Sequence, residues 1–305
     1  MTQKTTVNDK IDYSAKLILW LTRSLAKLPF YWGMRVGALL GNILRVLAVK
    51  RRRVTEVNIG LCFPELSTNE QQKLVKDVFI ANGIGLVETA WAHHAKREMF
   101  DQKVEIRNKQ LLDDALEQGR GVILLGAHLS TLDLGGLLFS YTHAPLNTLY
   151  RRHNNPTLDA AIIEGRKKYG EPIERKNMRR VINRLKENQC IWFAPDQDLN
   201  AKGCVFATFF NHPASTVTAA SNFVRFNQSP MLMLAHYRKP DNSGYILEFS
   251  NVVSADSNDK LQFAQAINDT IEKAIRKQPD QYMWMHKRFK RQPDGKHKLY
   301  KKAKC

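Results

Sequence analysis

Apolar and polar residues alternate along this chain in two distinct regimes. Residues 17–49 are apolar almost throughout, yet the run carries Arg23, Lys27, Arg35 and Arg45 and is cut by Pro29. A charge at the centre of a bilayer costs about 2.5–3.5 kcal/mol even on lenient scales. No stretch of about 20 residues is free of charge, as a clean spanning helix would need. The pattern predicts two amphipathic helices split at Pro29, lying at a membrane surface. Trp20, Phe30, Tyr31 and Trp32 would sit at the headgroup level, and Arg51, Arg52 and Arg53 follow. A tilted single-pass helix and a soluble helix pair are the alternatives.

Beyond that segment the periodicity changes. Ser67 and Glu70 form a capping box that opens a helix over 67–97. Short strands are predicted at 104–106, 121–126, 146–150, 190–194, 230–237 and 244–250, and helices at 109–117, 131–141, 156–169, 176–188, 216–228 and 259–277. Gly121-Val122-Ile123-Leu124-Leu125-Gly126 and Cys190-Ile191-Trp192-Phe193-Ala194 show no polar alternation. Such runs suit strands buried on both faces. Strand–helix alternation predicts an α/β fold with a mostly parallel central sheet flanked by helices. We divide the chain into membrane-anchoring helices over 1–52 and a catalytic domain over 53–305.

Composition sharpens this picture in two ways. The formal charge is +18, which points to an acidic partner: nucleic acid, an anionic membrane face or an anionic substrate. A solvated basic surface would give the same total. The four cysteines, Cys62, Cys190, Cys204 and Cys305, form no C-x-x-C pair and suggest free thiols. The polar first ten residues show no secretory signal.

Candidate chemistry gathers where ligands bind in open α/β sheets, at the carboxyl ends of strands. The strand at 121–126 runs into His128, with Asp133 five positions on. His128 as general base and Asp133 as its orienting carboxylate would form a dyad; a structural hydrogen-bonded pair has the same spacing. Ser130 lacks the flanking glycines of a nucleophile elbow and is expected to be the N-cap of the next helix. Arg151, Arg152 and Asn155 follow the strand at 146–150, and a cationic loop there suits phosphate or carboxylate. Arg166, Lys167, Lys168, Arg175, Lys176, Arg179 and Arg180 extend the cationic surface, which an exposed helix face would explain equally well. Asp196 and Asp198 end the strand at 190–194. No His/Cys/Asp grouping has a metal-ligand spacing, and no cofactor is expected. Near the C-terminus, Lys287 and Arg288 interleave with Tyr282, Trp284 and Phe289, as in base-stacking or membrane-interface segments.

Taken in order, these blocks resemble the late acyltransferases of lipid A biosynthesis, the lauroyl/myristoyl transferase family. The resemblance covers about residues 15–300. It runs from Arg53 through Asn58 to Cys62-Phe63-Pro64-Glu65-Leu66-Ser67, then Gly126-Ala127-His128 with Asp133, Tyr150-Arg151 with Asn155-Pro156, and Arg166. Ala194-Pro195-Asp196-Gln197-Asp198, Phe206, Phe209-Phe210, Pro213-Ala214-Ser215-Thr216 and the block from Pro279 to Lys290 complete it. It implies a glycerol-phosphate-acyltransferase-like fold with an N-terminal membrane anchor. It places the family's H-x4-D/E dyad on His128 and Asp133, with Asp here where many members carry Glu. The family's functional arginine and aspartate fall on Arg166 and Asp196, with Arg151 and Asp198 as neighbours. Arg151, Asn155, Lys287 and Arg288 become candidate substrate-binding residues. The implied donor is an acyl carrier protein thioester. The implied acceptor is a hydroxyl of an anionic lipid A precursor, at the cytoplasmic face of a bacterial inner membrane. A glycerolipid acyltransferase, a thioesterase and a basic nucleic-acid-binding protein are the rivals; the last leaves the apolar 17–49 segment unexplained.

Overall fold

A computed structural model describes residues 12–143, 145–199, 203–252, 256–295 and 299–300. Seven strands form the central sheet: β1 (Val104–Arg107), β2 (Val122–Leu125), β3 (Leu146–Tyr150), β4 (Pro172–Glu174), β5 (Cys190–Phe193), β8 (Met231–Arg238) and β9 (Tyr245–Asn251). Their order is β1-β9-β8-β2-β5-β3-β4, with every neighbouring pair parallel except β8 and β9. The unalternating runs of β2 and β5 are explained by burial on both faces. Ile123, Leu125, Ile191 and Phe193 enter one core. Their neighbours Val122, Leu124, Cys190 and Trp192 enter the other.

Helices α4 (Thr68–His94), α5 (Lys109–Glu117), α6 (Leu132–Thr142), α7 (Pro156–Arg166), α8 (Met178–Lys186), α9 (Ala219–Asn227) and α10 (Lys260–Lys277) flank this sheet. The Ser67/Glu70 capping box is present at the start of α4. A hairpin of β6 (Cys204–Phe209) and β7 (His212–Val217) stands outside the main sheet. Its last residues, Thr216 and Val217, overlap the helix expected over 216–228, which starts instead at Ala219. The two-residue turn places Phe210 and Asn211 at φ +48° and +60°. Such turns normally announce themselves through Asn-Gly or Gly-Gly, and a phenylalanine at the first position concealed this one. The edge strand β4 was also unforeseen, being three residues long and starting with proline.

The N-terminal segment forms α1 (Tyr13–Leu25), α2 (Phe30–Leu47) and α3 (Val49–Cys62). The break at Pro29 is where the sequence put it, and residues 52 and 53 both lie inside α3. No single described helix is long and apolar enough to cross a membrane; α2 and α3 meet the length and composition requirement only as a pair bent by 94°. Helix α2 docks on α4 through Gly33, Gly37 and Gly41, all buried at four-residue spacing. A Cβ at Gly37 would lie 2.6 Å from the Ile84 Cα, and one at Gly41 2.3 Å from the Phe79 carbonyl oxygen. Small residues at this spacing let two backbones touch. The outer side of α1 and α2 leaves Leu17, Trp20, Tyr31, Trp32, Leu39, Val46 and Leu47 exposed.

Candidate active site

Strand β2 delivers its chain through Gly126 and Ala127 to His128 at the carboxyl edge of the sheet. Gly126 is required there because the Trp192 indole would meet any Cβ at 2.1 Å. The neighbouring parallel strand β5 ends in the same place and supplies Asp196. Asp196 Oδ1 lies 2.6 Å from His128 Nδ1, and its Oδ2 accepts the His128 backbone N–H at 2.9 Å. The carboxylate is wholly buried, whereas the imidazole side chain is 20% exposed. Burial opposes ionisation of Asp196, but attraction to the His128 ring and the two hydrogen bonds hold its pKa down at about 2. With Nδ1 committed to a carboxylate, Nε2 is the ring nitrogen left to accept a proton.

The loop bearing His128 is fixed from below. Met283 N–H donates to the His128 carbonyl at 3.0 Å, and Ser130 N–H to the Gln281 carbonyl at 2.6 Å. Gln281 in turn donates to the Arg238 carbonyl through Nε2 and accepts the Arg238 N–H at its Oε1, both at 2.8 Å. Arg238 makes a bidentate, fully buried ion pair with Glu88, at 2.8 and 2.7 Å. The block from Pro279 onward thus acts as a brace for the histidine loop. The N-cap of α6 is Thr131 rather than Ser130; the Ser130 hydroxyl faces Arg238 at 3.4 Å.

Asp133 takes a different partner from the one expected of it. Its Oδ1 accepts Arg166 Nε at 3.0 Å and the Tyr169 hydroxyl at 2.8 Å. Burial works against its charge, and Arg166 outweighs that, keeping the carboxyl below its usual range. Tyr169 is pushed well above its ordinary value by burial and by the adjacent Asp133. The expected hydrogen-bonded dyad of His128 with Asp133 is therefore replaced by two units: His128 with Asp196, and Asp133 with Arg166 and Tyr169. The reason is geometric. Asp133 lies in the first turn of α6 and points to the end of α7, while β5 lies directly beside β2. Trp192 connects the two units. Its ring centroid is 6.1 Å from that of His128, and it lines a small buried cavity with Asp133, Arg166, Tyr169 and His236.

The remaining candidates are spread out. Arg151 is exposed beyond β3. Asn155 caps α7, its Oδ1 accepting from Thr157 N–H at 3.0 Å and Leu158 N–H at 3.2 Å, and its amide reaches Asp12. Asp198 is drawn away from the histidine by Arg291, at 2.6 Å. Lys287 is exposed, with its ammonium over the Tyr300 ring. Arg288 is buried, donating to the Ser215 carbonyl at 2.6 Å and to Thr216 Oγ1 at 3.0 Å. Its guanidinium holds β7 in place and cannot meet a substrate from there, contrary to the expectation for it. Among the described residues no group of three or more His, Cys, Asp or Glu side chains could hold a metal ion.

A buried aspartate that orients a partly exposed histidine is suited to moving a proton from an alcohol. A family profile described as bacterial lipid A biosynthesis acyltransferase matches residues 1–291. The chain belongs to that family. It is 34% identical over 293 residues to the lipid A biosynthesis palmitoleoyltransferase of Escherichia coli (strain K12), covering 93% of this chain and 92% of that protein. It is 31% identical over 281 residues to the lipid A biosynthesis lauroyltransferase of the same strain, covering 91% and 90%. A lipid A biosynthesis acyltransferase of Haemophilus influenzae is 31% identical over 280 residues, covering 90% and 89%. Membership makes this chain an acyltransferase of lipid A biosynthesis. Sequence reasoning singled out His128, Arg166, Asp133 and Asp196, which the structure gathers into these two units. It missed Tyr169, three residues beyond Arg166 at the end of α7, and the brace through Gln281, whose contacts span distant segments.

Proposed function

We propose that this enzyme transfers a fatty acyl chain of lauroyl to myristoyl length from acyl carrier protein to the hydroxyl of a 3-hydroxyacyl chain on a Kdo-bearing lipid A precursor. The observation that carries the reading is the 2.6 Å contact between His128 and the buried Asp196, taken with the family. His128 Nε2 removes the proton of the acceptor hydroxyl as the oxygen attacks the thioester carbonyl. Asp196 holds the tautomer and stabilises the imidazolium. The tetrahedral intermediate collapses by breaking the C–S bond, and the imidazolium returns its proton to the departing thiolate. A positioned base of this kind contributes about 10²–10⁴-fold. Asp133 acts through Arg166, holding it as a permanent cation available to a developing oxyanion or an acceptor phosphate.

The reaction site is at the cytoplasmic face of the inner membrane. Two features support this: the exposed aromatic and aliphatic side chains of α1 and α2, and the +18 charge, which favours both anionic lipid and an acidic carrier protein. The test is a transfer assay with acyl carrier protein thioesters of several chain lengths and a tetra-acylated precursor, with products weighed by mass spectrometry. Mass gain of one acyl group, abolished in a folded His128→Ala variant, is expected. Equal turnover in that variant would refute the base assignment.

A further inference from the structure

A second cavity lies outside the site just described. Helices α1, α4 and α7 enclose a slot of about 650 Å³, within the range of lipid-sized and drug-sized ligand sites. Ile18 and Leu19 of α1 and Leu158, Ala161 and Ile162 of α7 give it apolar walls. It stays open to the surface that α1 presents, since Ile18 is 47% exposed. The hydrogen bond from Asn155 to Asp12 ties the start of α1 to the start of α7.

The polar lining of this slot is cationic at one end. Arg23, His94 and Lys168 all border it, and all three are exposed. The two formal cations act on His94, whose pKa is lowered by burial first and then by His93, Lys168 and Arg23. Neither Arg23 nor Lys168 has a carboxylate partner among the described residues, whereas the adjacent Lys167 takes Glu164. Glu164, the carboxylate on the same lining, is taken by Lys167, which leaves Arg23 and Lys168 able to attract an anion. At the inner wall, His93 Nε2 is buried with no hydrogen-bond partner among the described residues. His93 packs against Gly165, next to Arg166.

An apolar trough ending in unpaired cations matches an amphiphile with a hydrocarbon chain and a negative head. We propose that this slot binds an acyl chain of an anionic lipid, its chain between α1 and α7 and its phosphate or carboxylate on Arg23 and Lys168. The same chemistry is offered by bilayer phospholipid and by the lipid acceptor.

The test uses the full chain held in an uncharged amphipol. It is labelled with a diazirine-bearing fatty acid and, separately, with the matching fatty alcohol, and the labelled peptides are mapped by mass spectrometry. The acid is expected to label peptides of α1, α4 and α7. In R23E/K168E, two exposed changes that leave packing intact, acid labelling should fall about tenfold, the loss of one charge-assisted contact, while alcohol labelling holds. Ala161→Trp, checked for an unchanged melting temperature, should reduce both. Competition by phosphatidylglycerol assigns the site to bilayer lipid, and competition by the tetra-acylated precursor alone assigns it to the acceptor. Labelling outside the three helices, undiminished acid labelling in R23E/K168E, or competition by neither anionic lipid would overturn the proposal. The readout is labelling, so it is independent of whether acyl transfer takes the proposed course.

Discussion

Two carboxylates, Asp196 wholly buried and Asp133 largely so, face different partners in this enzyme. Asp196 faces an imidazole that is part exposed, and Asp133 faces a guanidinium and a phenol. Both are kept ionised against the cost of burial by their partners. An imidazole changes its protonation near neutral pH, whereas a guanidinium does not. The first pair can therefore move a proton, and the second can only present a fixed charge. In the proposed mechanism similar surroundings give a base in one case and an electrostatic post in the other, and the partner decides which.

Substitution of the base should break the comparison most severely. His128→Ala is expected to lower kcat by about 10²–10⁴-fold, measured by product mass under saturating thioester. Asp196→Asn should follow, with a loss of roughly 10³-fold as the tautomer and the imidazolium lose their carboxylate; it should also lose stability at neutral pH, but less than Asp133→Asn, because the imidazole can shed its proton and leaves no buried cation. Asp133→Asn inverts the pattern. It leaves the Arg166 guanidinium without a counter-charge, at a cost of about 3 kcal/mol of stability in denaturant titration, with a smaller loss of rate than Asp196→Asn. If the two asparagine variants showed the same balance of rate and stability, the division of labour would be refuted.

How much of this was readable in the sequence follows from how local each feature is. The helix at Lys109–Glu117 was bounded correctly because its cap region and Gly119 are adjacent in the chain. The strands β2 and β5 announced themselves through unbroken apolar runs. His128 stood out by its position after such a run. The identity of its carboxylate did not, because the register between β2 and β5 that brings residue 196 to residue 128 is set across 68 positions. Spacing along the chain favoured Asp133, and the sheet supplied Asp196. The glycine seam of α2 was present as Gly33, Gly37 and Gly41, but its packing on α4 is seen only in the fold.

A pH experiment sharpens the comparison further. The folded pKa of Asp196, about 2, lies below its ordinary value of 3.8. Its contribution to stability is thus full above about pH 4 and lost as pH falls toward 2. The stability difference between wild type and Asp196→Asn should shrink over that window in urea titrations; a difference independent of pH would contradict the assignment. The smallest effect concerns Asn155. Asn155→Ala should cost about 1 kcal/mol by removing the α7 cap, with kcat within a few-fold of wild type. A large fall in kcat with unchanged stability would instead give Asn155 a role in substrate binding.

The most direct test of the central claim is the ¹H–¹⁵N NMR spectrum of the histidine ring protons in wild type, Asp196→Asn and Asp133→Asn. A carboxylate-bonded Nδ1–H of His128 should resonate at low field in wild type, persist in Asp133→Asn and disappear in Asp196→Asn. A signal that survives in Asp196→Asn and vanishes in Asp133→Asn would show that the histidine is oriented by the other carboxylate.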